Sequence, residues 1–255
     1  MAKSRAAALL ASALLITLVA VVPPGSAEVS QKQGVRVTVD GALSPKRLPR
    51  KGSAPVSVSV KGEIQALGGA SALPQLQKLR IAINSAGHID LRGIPHCRIN
   101  HINPSTNEEA LEACRSSLVG EGSFSANVVL PEQSPFPSKG KLLAFNGTIG
   151  RQPAIFAHIY GTNPLPTSYV FAFRVKQSKG TYGTVLETSF PRATGDWGYV
   201  TGIDLQLNKK SFITAGCPAP KGLSKVPFPL LRTDFSFAGG LNLTNTLTRT
   251  CEAKG

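Results

Sequence analysis

Four histidines, His88, His96, His101 and His158, are the natural starting point for acid–base or nucleophilic chemistry in this chain, because imidazole titrates near neutral pH. A catalytic nucleophile needs a serine or cysteine beside such a base and an acid to orient it. No G-x-S-x-G turn is present to present a serine that way. His88, Asp90 and Arg92 alternate along one strand face, so Asp90 could orient His88; the same three residues read equally as a solvated polar stripe. His158 lies in a run that is apolar on both faces, Ala154 to Tyr160, and reads as a hydrogen-bonded core residue. His96, Cys97, His101 and Cys114 could together hold a metal, but their spacing matches no standard zinc signature.

Glycoside hydrolysis needs two carboxylates flanking the sugar bond. Acidic residues are scarce, which narrows the candidates to Glu121, Glu187, Asp196, Asp204 and Asp234, none with a partner at a telling spacing. Gly195-Asp196-Trp197-Gly198-Tyr199 is the most site-like segment: the single Trp stands in a turn beside a carboxylate and a Tyr. Aromatic faces stack on sugars and an Asp accepts hydroxyl hydrogen bonds, so Asp196, Trp197 and Tyr199 are the candidate binding residues. The competing reading is a tight turn whose Trp covers the edge of the fold. Asn242, Thr244, Thr246, Thr248 and Thr250 share one strand face, a threonine ladder that reads as β-branched residues on a wet surface. Asn146-Gly147-Thr148 and Asn242-Leu243-Thr244 match the glycosylation acceptor pattern. Nothing in these patterns calls for a cofactor or a metal.

The leading segment fixes how the rest is read. Lys3 and Arg5 precede an almost unbroken apolar run, Ala6 to Val22, and Pro23-Pro24-Gly25-Ser26-Ala27 ends it with small residues. That is the three-part pattern of a signal peptide, with the mature chain expected to begin at Glu28. A spanning helix wants about 20 apolar residues, slightly more than this run supplies. No later run is long and apolar enough to cross a bilayer, so a secreted, extracytoplasmic protein is expected. In that oxidising setting the four cysteines, Cys97, Cys114, Cys217 and Cys251, read as two disulfides. Cys97–Cys114 and Cys217–Cys251 are favoured, because each closes a modest loop. The chain carries a formal charge of +14, and only Lys3 and Arg5 of its cations fall in the leading segment. Such an excess suits an anionic envelope polymer or a glycan-bearing surface. Export and the absence of nucleic-acid recognition motifs argue against nucleic acid as partner.

Period-two alternation dominates from Ala54 onward. Val56, Val58 and Val60 alternate with polar residues, as do Leu79, Ile81 and Ile83, then Tyr169, Phe171, Phe173 and Val175, then Ile203, Leu205 and Leu207. Phe235 and Phe237, and Leu241, Leu243 and Leu247, repeat the pattern. Each such segment buries one side and wets the other. Leu142 to Asn146 and Ala154 to Tyr160 are apolar on both faces and read as a hairpin near the sheet centre. The pattern predicts an all-β fold, an antiparallel β-sandwich or jelly roll. One short helix around residues 105–118 interrupts it, with a capping box at Ser105 and Glu108. Residues 28–53 read as a basic, proline-containing lead-in and 54–255 as one domain, with a seam possible at Pro131 to Lys141.

Gly93-Ile94-Pro95-His96-Cys97, Glu109-Ala110-Leu111-Glu112-Ala113-Cys114-Arg115 and Leu118-Val119-Gly120-Glu121-Gly122 together resemble a pattern in exported β-rich proteins of high-GC Gram-positive bacteria. Tyr182-Gly183 and Cys217-Pro218 are similar to later parts of that pattern. The resemblance implies export and a β-rich fold and brings no catalytic residues. The expected function is therefore a non-catalytic binding or structural role at the cell envelope. A secreted hydrolase acting on a glycan or ester is the alternative.

Overall fold

Side chains that alternate between apolar and polar can bury only one face of a strand, so strands of this kind must close around a shared interior. The computed structural model describes residues 27–68, 73–130, 132–190 and 198–254 and shows that closure. The apolar leading run and residues Asp196 and Trp197 lie outside the described residues. The strands are β1 (Glu28–Lys32), β2 (Val35–Ser44), β3 (Arg47–Pro49), β4 (Ala54–Ala66), β5 (Leu76–Asn84), β6 (Gly87–Ile89), β7 (Leu118–Val128) and β8 (Phe136–Ile149). They continue as β9 (Gln152–Gly161), β10 (Thr167–Gln177), β11 (Tyr182–Ser189), β12 (Gly198–Leu207), β13 (Ile213–Ala215), β14 (Lys225–Phe237) and β15 (Asn242–Lys254). The one α-helix among the described residues is α1 (Asn107–Cys114).

One sheet runs in the order β1-β2-β4-β12-β7-β8-β9-β10-β11-β5-β14-β15-β3. Its pairings are antiparallel except β15 with β3. Beyond this path, β13 pairs with β4 and β6. The β8–β9 hairpin sits mid-sheet, where one face meets the interior and the other is covered by α1 and its flanking loops. That double coverage explains a run without polar alternation. The fold is thus all-β and sandwich-like, the layers being opposite halves of one curled sheet.

The curl brings β15 against β1 and β2, and polar side chains stitch that seam. Asn245 lies between Leu243 and Leu247 on the inner face of β15. Its Nδ2 donates to the carbonyls of Glu28 (2.8 Å) and Val37 (3.2 Å), and its Oδ1 accepts from the Ser30 hydroxyl. Arg249 Nε donates to the Gly41 carbonyl at 2.8 Å, and its guanidinium also meets Asp40. Closing a curled sheet this way covers edge groups that would otherwise template pairing with other chains. Asn245→Ala should therefore cost about 2 kcal/mol, because it leaves buried backbone acceptors unpaired. Thermal denaturation should show a melting temperature lowered by about 4–8 °C. A melting temperature unchanged within 1–2 °C, roughly, would show that the seam bonds contribute nothing net.

Two sequence expectations are corrected. Residues 28–53 are not a lead-in: β2 pairs with β4 over its whole length, Val35, Val37 and Val39 are core residues, and Leu48 in the basic stretch is fully buried. The charges of Arg47, Arg50 and Lys51 project outward or reach carbonyls, Arg50 donating to Ala219 and Pro220, while the apolar residues between them pack inward. Within the stretch Pro131 to Lys141, β8 runs continuously from Phe136, pairing with β7 and β9. The capping box falls one residue later. Thr106 is the N-cap, its Oγ1 accepting from Glu109 N (3.2 Å) while Glu109 Oε2 accepts from Thr106 N (2.7 Å). Ser105 and Thr106 both have a Glu three residues on, and Ser105 instead faces His158, its Oγ 3.2 Å from Nε2.

Two disulfides staple this fold, Cys97–Cys114 and Cys217–Cys251, as the loop lengths favoured. The first joins α1 to the segment that bridges Gly147 of β8. The second ties the loop after β13 to β15. That loop is further held by Cys217 N, which donates to the Pro49 carbonyl at 2.9 Å. Both lie at the same end of the curled sheet, where Phe212, Ile89, Leu91 and Ile94 fill the interior. The opposite end carries neither crosslink.

Candidate functional site

At that opposite end the described residues leave an opening between the strand ends. Here β7 and β9 end, β8, β10 and β12 begin, and Gln75 and Phe190 flank the ends of β5 and β11. The strand ends rim a cavity of about 370 Å³, within the range of small-molecule sites. Phe124, Tyr169, Phe171, Phe190 and Tyr199 supply its aromatic wall. The Phe171 ring anchors the cluster: its centroid is 4.8 Å from Phe190, 6.3 Å from Tyr169 and 6.5 Å from Phe124. Leu76, Val128, Leu130, Ile159 and Leu165 add aliphatic surface. The sequence placed Tyr169 and Phe171 on one strand face, and that face opens onto the cavity at its mouth.

The polar groups are few and mostly engaged. Asn127 Nδ2 donates to the Tyr199 hydroxyl at 3.1 Å, and the Ser138 hydroxyl donates to the Asn163 carbonyl at 2.5 Å. Lys139 is exposed on the rim. Among the described residues the lining holds no Asp, Glu, His or Cys. Its described titratable side chains are Lys139, Tyr169 and Tyr199. Two of the few large hydrophobic side chains left exposed, Leu165 (70% exposed) and Tyr169 (38% exposed), stand at this mouth.

The residues singled out for chemistry are dispersed. Of the three candidate binding residues, Tyr199 lines the cavity, while Asp196 and Trp197 lie outside the described residues. The four described carboxylates considered for hydrolysis are ion-paired on the outer face. Glu121 meets Lys141 at 3.0 Å, Asp204 meets Lys61 at 3.0 Å, and Glu187 meets Lys176 at 2.6 Å and Lys78 at 3.3 Å. Asp234 meets Arg232 at 2.9 Å and Arg80 at 3.0 Å. The Lys176 hydrogen bond holds the Glu187 carboxyl below the ordinary range. Burial pushes Asp234 up, but hydrogen bonds from Thr244, Arg232 and Arg80 together bring it below its usual value. A glycosidase's acid needs the opposite, a raised pKa.

Asp90 does not orient His88. It takes both Nε and an Nη of Arg92 at 2.9 Å and the Arg92 backbone N–H at 3.0 Å, which hold its carboxyl down to about 2. His158 is fully buried on the outer face of β9, its Nε2 3.1 Å from the Ser105 carbonyl and 3.3 Å from Ser168 Oγ. Burial keeps this imidazole below its ordinary pKa, and its Nδ1 has no partner. No acid orients it, so it is a neutral core residue. Cys97 and Cys114 are joined to each other, so the set with His96 and His101 has no thiolate to offer. Asn146 is fully buried, with Nδ2 donating to the Ile94 carbonyl at 2.8 Å, and is inaccessible as a glycosylation acceptor in the folded chain.

Comparison with family models, curated proteins and solved structures finds no match for this chain. The functional reading therefore rests on the chemistry of the site itself.

Proposed function

We propose that this protein acts outside the cytoplasm as a non-catalytic binding protein of the cell envelope, taking an apolar ligand into the open end of its curled sheet. The observation that carries this reading is the cavity lining: a wall of aromatic and aliphatic side chains with no acid, imidazole or thiol among the described residues. Such a lining stabilises apolar surface removed from water, by about 25 cal/mol per Å². Its described titratable groups are Lys139 and the phenols of Tyr169 and Tyr199, with no carboxylate, imidazole or thiol beside them to activate a nucleophile. The exposed Leu165 and Tyr169 at the mouth supply the first apolar surface a ligand meets. Two disulfides and the signal-like leading segment support an oxidising compartment. The basic charge supports residence against an anionic envelope.

The test uses N-phenyl-1-naphthylamine, a neutral fluorophore that brightens in apolar surroundings. Saturable binding near one equivalent is expected, and Tyr169→Glu, a half-exposed position that should leave the melting temperature within a few degrees, roughly, should weaken it at least about tenfold. Absence of saturable brightening, or a Tyr169→Glu variant that binds like the parent, would sink the proposal. Turnover of an ester or glycan at a rate above background would favour the hydrolase alternative instead. Release of the protein from envelope fractions by salt would support charge-driven residence, because screening weakens exposed pairs.

A further inference from the structure

Lys139 stands at a boundary. It lines the aromatic cavity on one side and, on the other, an adjoining polar groove of about 600 Å³. Ser123, Ser125, Asn127 and Thr201 supply hydroxyl and amide groups along that groove. The neighbouring cations are already neutralised: Lys141, two residues along β8, pairs with Glu121, and Lys61 across the groove pairs with Asp204. Lys139 makes no ion pair among the described residues. Lys139 shares the outer face of β8 with Lys141 and Leu143, so it meets the cavity at its rim.

The carboxylates facing the groove do not compete for that ammonium. Asp204 is held by Lys61 at 3.0 Å. Glu63 lies in the same cross-strand row as Lys139, reached through Gly202 and Ser125, and so stands three strand spacings away. At about 4.8 Å per spacing that is about 14 Å, beyond the screening length of about 8–10 Å at physiological salt. Glu108 shares a third hollow with Lys139 but makes no ion pair with it among the described residues, so Lys139 is the unpaired cation where the cavity opens into the groove.

An apolar cavity whose mouth carries, among the described residues, one unpaired cation is complementary to a molecule with an apolar body and a negative end. We infer that the cavity takes a single-chain amphiphile with a carboxylate head, its tail against Phe124, Phe171 and Phe190 and its head at Lys139. This rests on the apolar-binding reading above and goes beyond it by naming the ligand class and the residue that selects it. Tail burial provides affinity; Lys139 discriminates between heads, rejecting a cationic one by repulsion.

Displacement of N-phenyl-1-naphthylamine by decanoate, decanol and decyltrimethylammonium, each below its micelle concentration, tests the assignment. Decanoate should displace at a concentration about fivefold lower than decanol and at least about tenfold lower than the cation. Lys139→Gln, at an exposed position, should remove the decanoate preference and leave decanol displacement unchanged. Raising salt should narrow the same gap in the parent protein. Equal displacement by decanoate and decanol, or an unchanged preference in Lys139→Gln, would overturn the head-group assignment while leaving apolar binding intact. Displacement by none of the three would instead overturn the apolar-binding reading. Binding to phosphatidylglycerol vesicles with no displacement by monomeric decanoate would show that a membrane surface, not a free amphiphile, is the occupant.

Discussion

Replacing Cys217 and Cys251 together by alanine is expected to lower the melting temperature by about 8–15 °C. The two residues are separated by 34 positions. In the chain-entropy account, closing a loop of that size removes about 4 kcal/mol of freedom from the unfolded chain. A domain of this size loses about 2–4 °C for each kcal/mol. Both cysteines are fully buried beside Leu48, Phe212 and Phe228, so the variant loses packed sulfur as well as the link. Reduction of a Cys97→Ala/Cys114→Ala variant, in which Cys217–Cys251 is the one remaining link, should reproduce most of the shift, which separates the covalent contribution from the packing one. Because the cavity lies at the other end of the sheet, N-phenyl-1-naphthylamine affinity at low temperature should stay within about twofold of the parent. A melting temperature within about 3 °C of the parent would mean that the seam and core alone hold that end closed.

Gly122→Val should be at least as damaging, for a different reason. Gly122 lies in β7 between β8 and β12, opposite Leu205. A Cβ added there would stand 1.9 Å from the Asp204 carbonyl oxygen and 2.9 Å from Leu205 Cα. Backbone cannot swing aside as a side chain does, so β7 and β12 would have to separate. That breaks ladder hydrogen bonds in mid-sheet, at a cost of at least about 3 kcal/mol. The expected result is insoluble protein or a melting temperature lowered by more than about 10 °C. Glu121→Gln on the same strand is the control: it loses an exposed ion pair with Lys141 and should change stability by less than about 1 kcal/mol. A Gly122→Val variant that melts like Glu121→Gln would show that the sheet can open there at little cost.

The close approach of β7 to β12 gives a physical reason for glycine at both Gly120 and Gly122. A Cβ at Gly120 would likewise meet the Gln206 carbonyl oxygen at 2.5 Å. Nothing in the local pattern signals this, because a glycine in a strand looks the same whether it marks a bulge, a turn or a neighbour pressed against it.

Strand positions were legible wherever one face is wet, as in Tyr169 to Lys176, because alternation is set by backbone geometry alone. The central hairpin was legible from its lack of alternation, since both faces of β8 and β9 are covered. The disulfide pairing was legible because sequence-near cysteines in neighbouring elements leave few ways to close. The helix start was legible only to within one residue. Ser105 and Thr106 offer the same local cap, and the choice depends on His158, which is distant in sequence. The basic stretch after β2 misled because charge was weighed over Leu48, whose burial depends on β15 arriving beside it.

The site was scarcely legible. Tyr199 was named for its neighbours Asp196 and Trp197, yet its described setting is the aromatic wall contributed by β7, β10 and the ends of β11 and β12. Phe124, Phe171 and Phe190 each read as ordinary core residues, and Lys139 as one lysine among many.

By itself, then, the sequence determined an all-β chain, its two crosslinks and the lack of a catalytic motif, since alternation, cysteine spacing and motif chemistry are local properties. Only the tertiary structure decided that the sheet curls until Asn245 reaches β1 and β2, that the crosslinks gather at one end, and that the described residues of the other end form the aromatic cavity. Those outcomes depend on which distant strands become neighbours, and long-range pairing leaves no mark at the spacing of adjacent residues.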